Sequence, residues 1–417
     1  MFASIHVPDF PVQAVARSGP LSEGCSVNDL AVAVLDGPAS LLRVFVSNEL
    51  ARRLGVTPGM TKVQAESFPQ LILRRRSTEC EESAQEALLD CAGMFSSQIE
   101  STIAGSVIFD ISGTERLFGP PAQLADAILR STGKFGFEAQ VAVARNPDTA
   151  FYAARGFTGP IVIPSGKEAA QLRGLPLHIL DIASDVLARF ESMGIVNFGA
   201  LAALPSVPLS QRFGQTGLQI QSIARGQTQR LLVPTKSKLR FTETFEFEDA
   251  VDNLEPLAFV LNRLLDQLVE RLKARSLATN ALHLRLELER NNDRNIKHDN
   301  PQTSSPALHE RIIKLPVSTQ EQKILLKLLQ LDLAEHPPSA AVKKLFLEAD
   351  PAVFRFTQRG LFDRIAPDPE QLQVLMARIR GIVGESDAQG RSRVGMPVVQ
   401  DTHAPDAFTL NEFSIAS

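Results

Sequence analysis

The strictest pattern in the chain is an alternation of apolar and polar side chains between Ala281 and Arg290. Leu282, Leu284, Leu286 and Leu288 take every second position, and the residues between them are charged or histidine. Because successive side chains of a strand point to opposite faces, this period of two predicts a strand with one buried face. A sheet that buries one face needs a second layer of structure against that face.

Two strand–helix–strand units supply that layer. The first consists of a strand over 242–247, a long amphipathic helix over 255–275 and the leucine strand. After a polar turn near 291–305, the second consists of a strand over 309–317, a helix over 318–333 and a strand over 341–347. This order predicts a small α+β domain over residues 241–350, after a linker over 233–240 and before a tail over 351–417.

The first part of the chain has a different order of predicted strands and helices. Residues 1–165 alternate short apolar strands, such as 31–35 and 107–109, with amphipathic helices, such as 83–99 and 121–131. This pattern predicts an α/β domain with an insertion at about 18–77. Residues 166–232 have a helical pattern that is interrupted by Pro and Gly residues. The predicted fold class is therefore multidomain, α/β and α+β.

Composition narrows the class of protein. A chain of 417 residues has the length for two to four domains. Its net charge of −4 argues against a highly basic nucleic-acid binder, although it does not decide whether one face is basic. Cys25, Cys80 and Cys91 show neither metal-ligand nor disulfide spacing. No apolar run approaches ~18 residues and the start lacks a signal-peptide pattern, so we expect a cytoplasmic protein.

Several segments resemble the Y-family (translesion) DNA polymerases. Residues 4–15 are similar to that family's first strand and turn, I-H-V-D-x-D-x-F-F-A-x-V, and 103–110 to its second acidic segment, S-x-D-E-x-x-x-D. Residues 55–60 are similar to its fingers segment and 140–146 to its last palm strand. The resemblance implies a palm (1–165) with a fingers insertion, a helical thumb (166–232) and a little finger (241–350).

The resemblance also marks where the family carries its metal-binding carboxylates. Pro8, Gly105 and Ser106 stand at those positions. Mg²⁺ requires carboxylate oxygens, which these residue types lack. The resemblance therefore implies no catalytic residues, no metal site and no cofactor. We expect Asp9, as the strand neighbour of Pro8, to face away from the site.

The nucleotide-contacting positions of the family are altered as well. Arg52 is retained, whereas Glu49, Phe151 and Gln13 stand in place of a tyrosine, a lysine and a sugar-discriminating aromatic residue. In the thumb, residues 181–183 take the place of a Gly-Ile-Gly turn that approaches a phosphate, and Asp181 would oppose that phosphate.

Basic clusters are candidates for phosphate contact. The linker cations Lys236, Lys238 and Arg240 are the predicted DNA-binding residues. Two further clusters, 74–76 and the helix end at 271–275, are either solvated faces or phosphate contacts, and the polymerase-like setting favours phosphate contact.

A short motif in the tail predicts a second partner. Gln358, Leu361 and Phe362 fit the Q-x-x-L-F pattern of bacterial sliding-clamp ligands, in which the amide bonds the pocket rim and the apolar pair fills a cleft. Alternatively, Leu361 and Phe362 are core residues.

Residues 115–119, 393–397 and 401–408 resemble segments of the ImuB-type Y-family homologues of bacterial mutasomes, which lack the polymerase carboxylates. That resemblance implies an adaptor in damage-induced (SOS) mutagenesis. Its partners would be DNA, the sliding clamp (β subunit), a RecA-like ImuA-type protein and an error-prone DnaE-type polymerase. The alternatives are an active translesion polymerase with a displaced metal site and a plain DNA-binding protein.

Overall fold

The computed structural model describes residues 1–19, 29–235, 239–289 and 307–353, with a few residues of the tail that include two paired strands, 396–399 and 408–411. The chain divides into two compact units, 1–238 and 239–417. The predicted fold class, α/β and α+β multidomain, is confirmed by the elements of these units. The finer division at residues 165, 232, 240 and 350 stays a prediction.

The first unit contains eight described strands and eleven described α-helices. The strands are β1 (Phe2–His6), β2 (Ala31–Asp36), β3 (Arg43–Ser47), β4 (Leu71–Arg75), β5 (Ile99–Ile103), β6 (Ser106–Asp110), β7 (Gln140–Ala144) and β8 (Pro160–Val162). The helices are α1 (Phe10–Ser18), α2 (Glu49–Arg53), α3 (Lys62–Glu66), α4 (Thr78–Gly93), α5 (Glu115–Phe118), α6 (Pro121–Lys134), α7 (Pro147–Gly156), α8 (Glu168–Leu172), α9 (Ser184–Ser192), α10 (Phe198–Ala203) and α11 (Ser206–Ala224).

Strand β1 lies at the centre of a five-stranded sheet of order β5-β6-β1-β7-β8. It pairs antiparallel with β6 and with β7, which places His6 opposite Ser106 on one side and Gln140 on the other. Helices α4 and α6 pack on this sheet, as does α7. Because Ala3 and Ile5 are fully buried, the sheet provides a rigid base for the turn that follows β1.

A separate three-stranded sheet of order β3-β2-β4 lies within the range predicted as an insertion. Its small core includes Leu35, Val44, Ala51 and Val56. Both ends of one helix in this unit differ from expectation: the helix predicted over 83–99 runs over Thr78–Gly93. It begins earlier because the Ser77 side chain accepts a hydrogen bond from the Cys80 backbone, and it ends before Ile99, which begins a strand.

The second unit is a four-stranded antiparallel sheet of order β11-β10-β12-β9 covered on one face by helices. Its elements are β9 (Phe241–Val251), α12 (Leu254–Ala274), β10 (Leu277–Leu288), β11 (Ala307–Thr319), α13 (Gln322–Glu335) and β12 (Val342–Val353), and the tail adds the hairpin β13 (Met396–Val399) and β14 (Phe408–Asn411). The four leucines of β10 are buried in the core beneath the helices, which confirms the predicted strand and its apolar face.

One polar pair lies inside that core. Arg271 and Glu243 are each 1% exposed, and Arg271 Nη1 lies 3.1 Å from Glu243 Oε1. Arg271 also donates to the carbonyl oxygens of Arg240 (2.7 Å) and Thr242 (3.1 Å). The expectation that Arg271 contacts phosphate is wrong, because its guanidinium is buried and bonded within the domain.

Among the described helices, none combines the length and the apolar character that a membrane span requires.

Candidate functional site

The turn after β1 defines the candidate site. The strand ends at His6, the backbone enters the left-handed region at Asp9 (φ 47°), and α1 begins at Phe10 with a proline in its first turn. The backbone N–H of Val7 donates to the Gly105 carbonyl at 2.8 Å. This bond places the turn that carries Pro8 beside the start of β6, so residues 8, 105 and 106 lie together.

Gly105 has no room for a side chain. Its φ is +76°, a conformation that residues with a Cβ rarely adopt. A Cβ built on its backbone would lie 2.7 Å from Cβ and 2.8 Å from Cγ of Phe10. Any carboxylate at this position therefore needs both a strained backbone and a displacement of Phe10.

Ser106 is fully buried and bonded to a histidine. Its Oγ lies 2.7 Å from His6 Nδ1. The pKa of His6 is lowered to about 4, chiefly by burial and also by the positive charge of Arg155, whereas the charge of Asp181 acts in the opposite direction. His6 is thus neutral at neutral pH, and the pair offers a hydroxyl and an imidazole where a metal site would need carboxylates.

Asp9 is directed toward the three-stranded sheet. The premise that Asp9 lies on the strand is wrong, because the strand has already ended and Asp9 lies in the turn, whereas its orientation away from residues 105 and 106 stays a prediction. Its two carboxylate oxygens accept hydrogen bonds from Arg52 at 2.8 and 3.1 Å, and Arg52 also donates to the Ser47 carbonyl. The hydrogen bond to Asp9 raises the pKa of Arg52. The arginine fork is therefore already occupied by an internal anion.

Glu49 lies at the first turn of α2 and is exposed. Its carboxylate is 2.8 Å from Arg53 Nη2 and 4.0 Å from Arg52 Nη2. It adds a second negative charge beside the Asp9–Arg52 pair, so this corner is less attractive to a polyanion than Arg52 alone would be.

Gln13 and Phe151 are structural residues here. The Gln13 Nε2 donates to the carbonyl oxygens of Pro8 and Glu138, each at 2.9 Å, and its Oε1 accepts from the Glu138 N–H at 2.9 Å. Phe151 is buried in the core, with its ring edge-on to Tyr152 at 5.0 Å. Both side chains are thus committed to contacts within the first unit.

The residues present do not fit a two-ion centre. Within the part of the chain that the structure describes, no three His, Cys, Asp or Glu side chains converge as metal ligands would. Asp9 is paired with Arg52, and Asp110 accepts hydrogen bonds from the Ser112 backbone and hydroxyl. In the helical region Asp181 is 2.7 Å from Arg155 Nη1, so its charge is matched as well.

The predicted DNA-binding residues are only partly visible. Arg240 is exposed, and its Nε lies 3.8 Å from Glu348 Oε1. The other predicted DNA-binding residues, Lys236 and Lys238, lie outside the described residues, as do the predicted clamp-binding residues Gln358, Leu361 and Phe362.

Sequence reasoning missed a cationic group on the second unit. On the sheet face away from the helices, the guanidinium carbon of Arg285 lies 4.0 Å from the ring centre of Phe346, and Lys344 Nζ lies 5.0 Å from the same centre. The signal was available, because these residues alternate with buried leucines in β10 and β12 and so must face outward.

Comparison with known proteins agrees with the resemblance seen in the sequence. Residues 7–155 match the impB/mucB/samB family. Protein ImuB of Caulobacter vibrioides is 25% identical over 222 residues, which covers 53% of this chain and 48% of that protein. DNA polymerase IV of Dehalococcoides mccartyi is 26% identical over 242 residues, covering 57% and 62%. The chain thus spans about half the length of the ImuB relative.

Solved structures provide a second comparison. DinB from Sulfolobus solfataricus covers 85% of this chain and 99% of its own, with 16% identity and a TM-score of 0.47. A Y-family DNA polymerase chimera covers 84% and 98%, with 14% identity and a TM-score of 0.46. By its sequence, the N-terminal part of the chain matches the impB/mucB/samB family over residues 7–155, and the predicted resemblance to ImuB is confirmed.

Proposed function

We propose that this protein is a non-catalytic, Y-family polymerase-like adaptor in damage-induced mutagenesis and translesion DNA synthesis. It binds DNA and the sliding clamp and recruits an error-prone polymerase of the DnaE type, together with a RecA-like ImuA-type protein. We place this activity in the cytoplasm.

The geometry at Gly105 carries the proposal. In a polymerase of this family a carboxylate at that position would bind the catalytic metal, whereas here a Cβ would meet Phe10 at 2.7 Å. Ser106 is buried against His6, and Arg52 is neutralised by Asp9. We therefore infer that the chain lacks both the groups that would bind the metal ions and those that would bind the triphosphate. Similarity to ImuB supports the same interpretation.

The DNA-binding part of the proposal rests on three cations of the second unit, of which Arg240 and Arg285 are exposed and Lys344 is half-buried. Arg240 precedes β9, and Arg285 and Lys344 lie on the outer face of the same sheet. Together with Lys236 and Lys238 they would contact phosphates without reading sequence. The binding would therefore be salt-dependent and general.

The clamp-binding part rests on the motif Gln358–Phe362. A protein that does not extend primers contributes to synthesis by bringing other components to the primer end, and clamp attachment raises their effective concentration there.

A primer-extension assay tests the proposal against the alternative, an active polymerase with a displaced metal site, which the similarity to DNA polymerase IV favours. Purified protein is incubated with primed template, deoxynucleotides and Mg²⁺ or Mn²⁺. We expect no extension, and template-directed incorporation that co-purifies with the protein would refute the non-catalytic role. Clamp pulldown with Gln358→Ala, Leu361→Ala, Phe362→Ala protein then separates an adaptor from a plain DNA-binding protein.

A further inference from the structure

Strand β11 forms one edge of the four-stranded sheet in the second unit. Among the described residues it pairs with β10 alone, so the backbone groups on its other side have no strand partner there. Such an edge is a template for another strand unless proline, charge or a bulge protects it. The regular pairing with β10 runs from Ala307 to Lys314, and the register shifts only beyond that point.

The side chains of this edge alternate strictly. Arg311 points to the helical layer, because its guanidinium lies 2.6 Å from Asp332 of α13. The even-numbered neighbours therefore lie on the opposite, uncovered face. Two of them are apolar and well exposed, Leu308 at 50% and Ile312 at 57%. Apolar residues at an unpaired edge indicate a surface that another strand covers.

The two charges on the same face are placed symmetrically about Ile312. Glu310 precedes it by two residues and Lys314 follows it by two, and both are exposed. The structure shows no ion pair for either within its own chain in the described region. On β10, Lys314 is opposite an alanine, and Arg285, which is opposite Glu310, stacks on Phe346 instead.

We infer that β11 is a self-association edge, at which a second copy of this chain pairs antiparallel across a two-fold axis at Ile312. In that register Glu310 of each copy lies opposite Lys314 of the other, and the two Ile312 side chains meet at the axis. Opposite charges directly across an antiparallel pair are favourable, and like charges are unfavourable.

Pairing the two β11 strands about an axis at a neighbouring residue does not bring Glu310 opposite Lys314. A two-fold axis at residue 311 places Lys314 opposite Leu308, and one at residue 313 places Ile312 opposite Lys314. Only the axis at Ile312 forms both ion pairs, and both fall within the regular part of β11. The resulting contact joins two sheets into one, is short, and yields a concentration-dependent dimer. This self-association is independent of the adaptor role.

Charge reversal tests the register. We would measure sedimentation velocity of the full chain from about 1 to 200 μM. Wild type should shift from monomer to dimer. Glu310→Lys should raise the dimer dissociation constant at least about tenfold, because two ion pairs become two like-charge contacts, and Lys314→Glu should do the same. The double variant Glu310→Lys, Lys314→Glu should restore dimerisation. Glu335→Lys, the same charge change on exposed α13, should leave the dimer unchanged.

A disulfide tests the axis directly. Opposite residues of an antiparallel pair have Cα atoms about 4.5–5.5 Å apart, within the range of a disulfide. Ile312→Cys should therefore give an intermolecular disulfide under mild oxidation, and Leu308→Cys, which is off the axis, should give much less. Cys80 and Cys91 are buried, Cys25 lies outside the described residues, and the wild type therefore serves as the background control for any cross-link through the native cysteines.

A wild type that stays monomeric throughout the range would overturn the inference. So would a dimer that survives Glu310→Lys, or a double variant that fails to recover dimerisation while circular dichroism shows it folded.

Discussion

Gly105→Asp is the most informative single change, because it places a carboxylate at a position where the sequence resemblance predicts that the polymerase family carries one. The backbone at Gly105 has φ +76°, and a Cβ would lie 2.7 Å from that of Phe10. A left-handed backbone costs a residue with a Cβ about 1–2 kcal/mol. Overpacking of a core contact costs about 1–3 kcal/mol more. We therefore expect the free energy of unfolding to fall by about 2–5 kcal/mol.

Gly113→Asp provides the matched control. Gly113 has φ +80°, and no atom lies within 4 Å of a Cβ built on it. This variant carries the backbone cost without the collision. The difference between the two variants isolates the contact with Phe10, which we expect to cost about 1–3 kcal/mol. In a Phe10→Gly background, which removes the Cβ together with the ring, the extra cost of Gly105→Asp should largely disappear, as a double-mutant cycle would show.

The composition makes the assay specific. The chain has one tyrosine and no tryptophan. That residue, Tyr152, is 8% exposed in the core of the first unit, so tyrosine fluorescence during urea unfolding reports on the unit that contains the mutation. Equal costs for the two glycine variants would refute the reasoning, because Phe10 would then yield to a side chain and residue 105 could accept a carboxylate.

Three further predictions address DNA, the clamp and pH. Charge reversal of the linker cations Lys236, Lys238 and Arg240 should weaken DNA binding. The slope of log affinity against log salt should fall by about 0.9 for each phosphate that is no longer neutralised, and an unchanged slope in a salt titration would count against these residues. Replacing Leu361 and Phe362 by Ala should cost about 4 kcal/mol, nearly a thousandfold in clamp affinity measured by surface plasmon resonance, with the urea midpoint unchanged; a lowered midpoint with intact clamp binding would make them core residues. The pKa of His6 is lowered from 6.5 to about 4, so the unfolded chain takes up the proton at a higher pH than the folded chain does. The stability that a neutral His6 contributes is therefore fully present above pH 6.5 and is lost as the pH falls toward 4. Urea midpoints should therefore fall less steeply over this range in His6→Gln than in wild type, and equal slopes would contradict a neutral His6.

The regular elements were largely predictable from the sequence because their signals are local. The alternation of leucines in β10 and the amphipathic pattern of α12 each predict which face of the element is buried, and both predictions are confirmed. The residue types at positions 8, 105 and 106 were also evident from the sequence, and that these are the family's carboxylate positions stays a prediction from the surrounding motif. These inferences depend on spacing along the chain, which folding does not change.

The contacts that give the candidate site its character were decided by the tertiary structure. The sequence placed Asp9 on a strand, whereas the turn after β1 directs it to Arg52, a residue 43 positions away. It placed Arg271 at an accessible helix end that contacts either solvent or phosphate, whereas the fold buries it against Glu243. Neither pairing has a periodic signal, because a side chain's partner across a core depends on how separate elements pack. For the same reason the sequence does not show that a side chain at residue 105 would collide with Phe10. From the sequence, Gly105 is interpreted as a turn residue, and only the packing shows that a residue with a Cβ does not fit there.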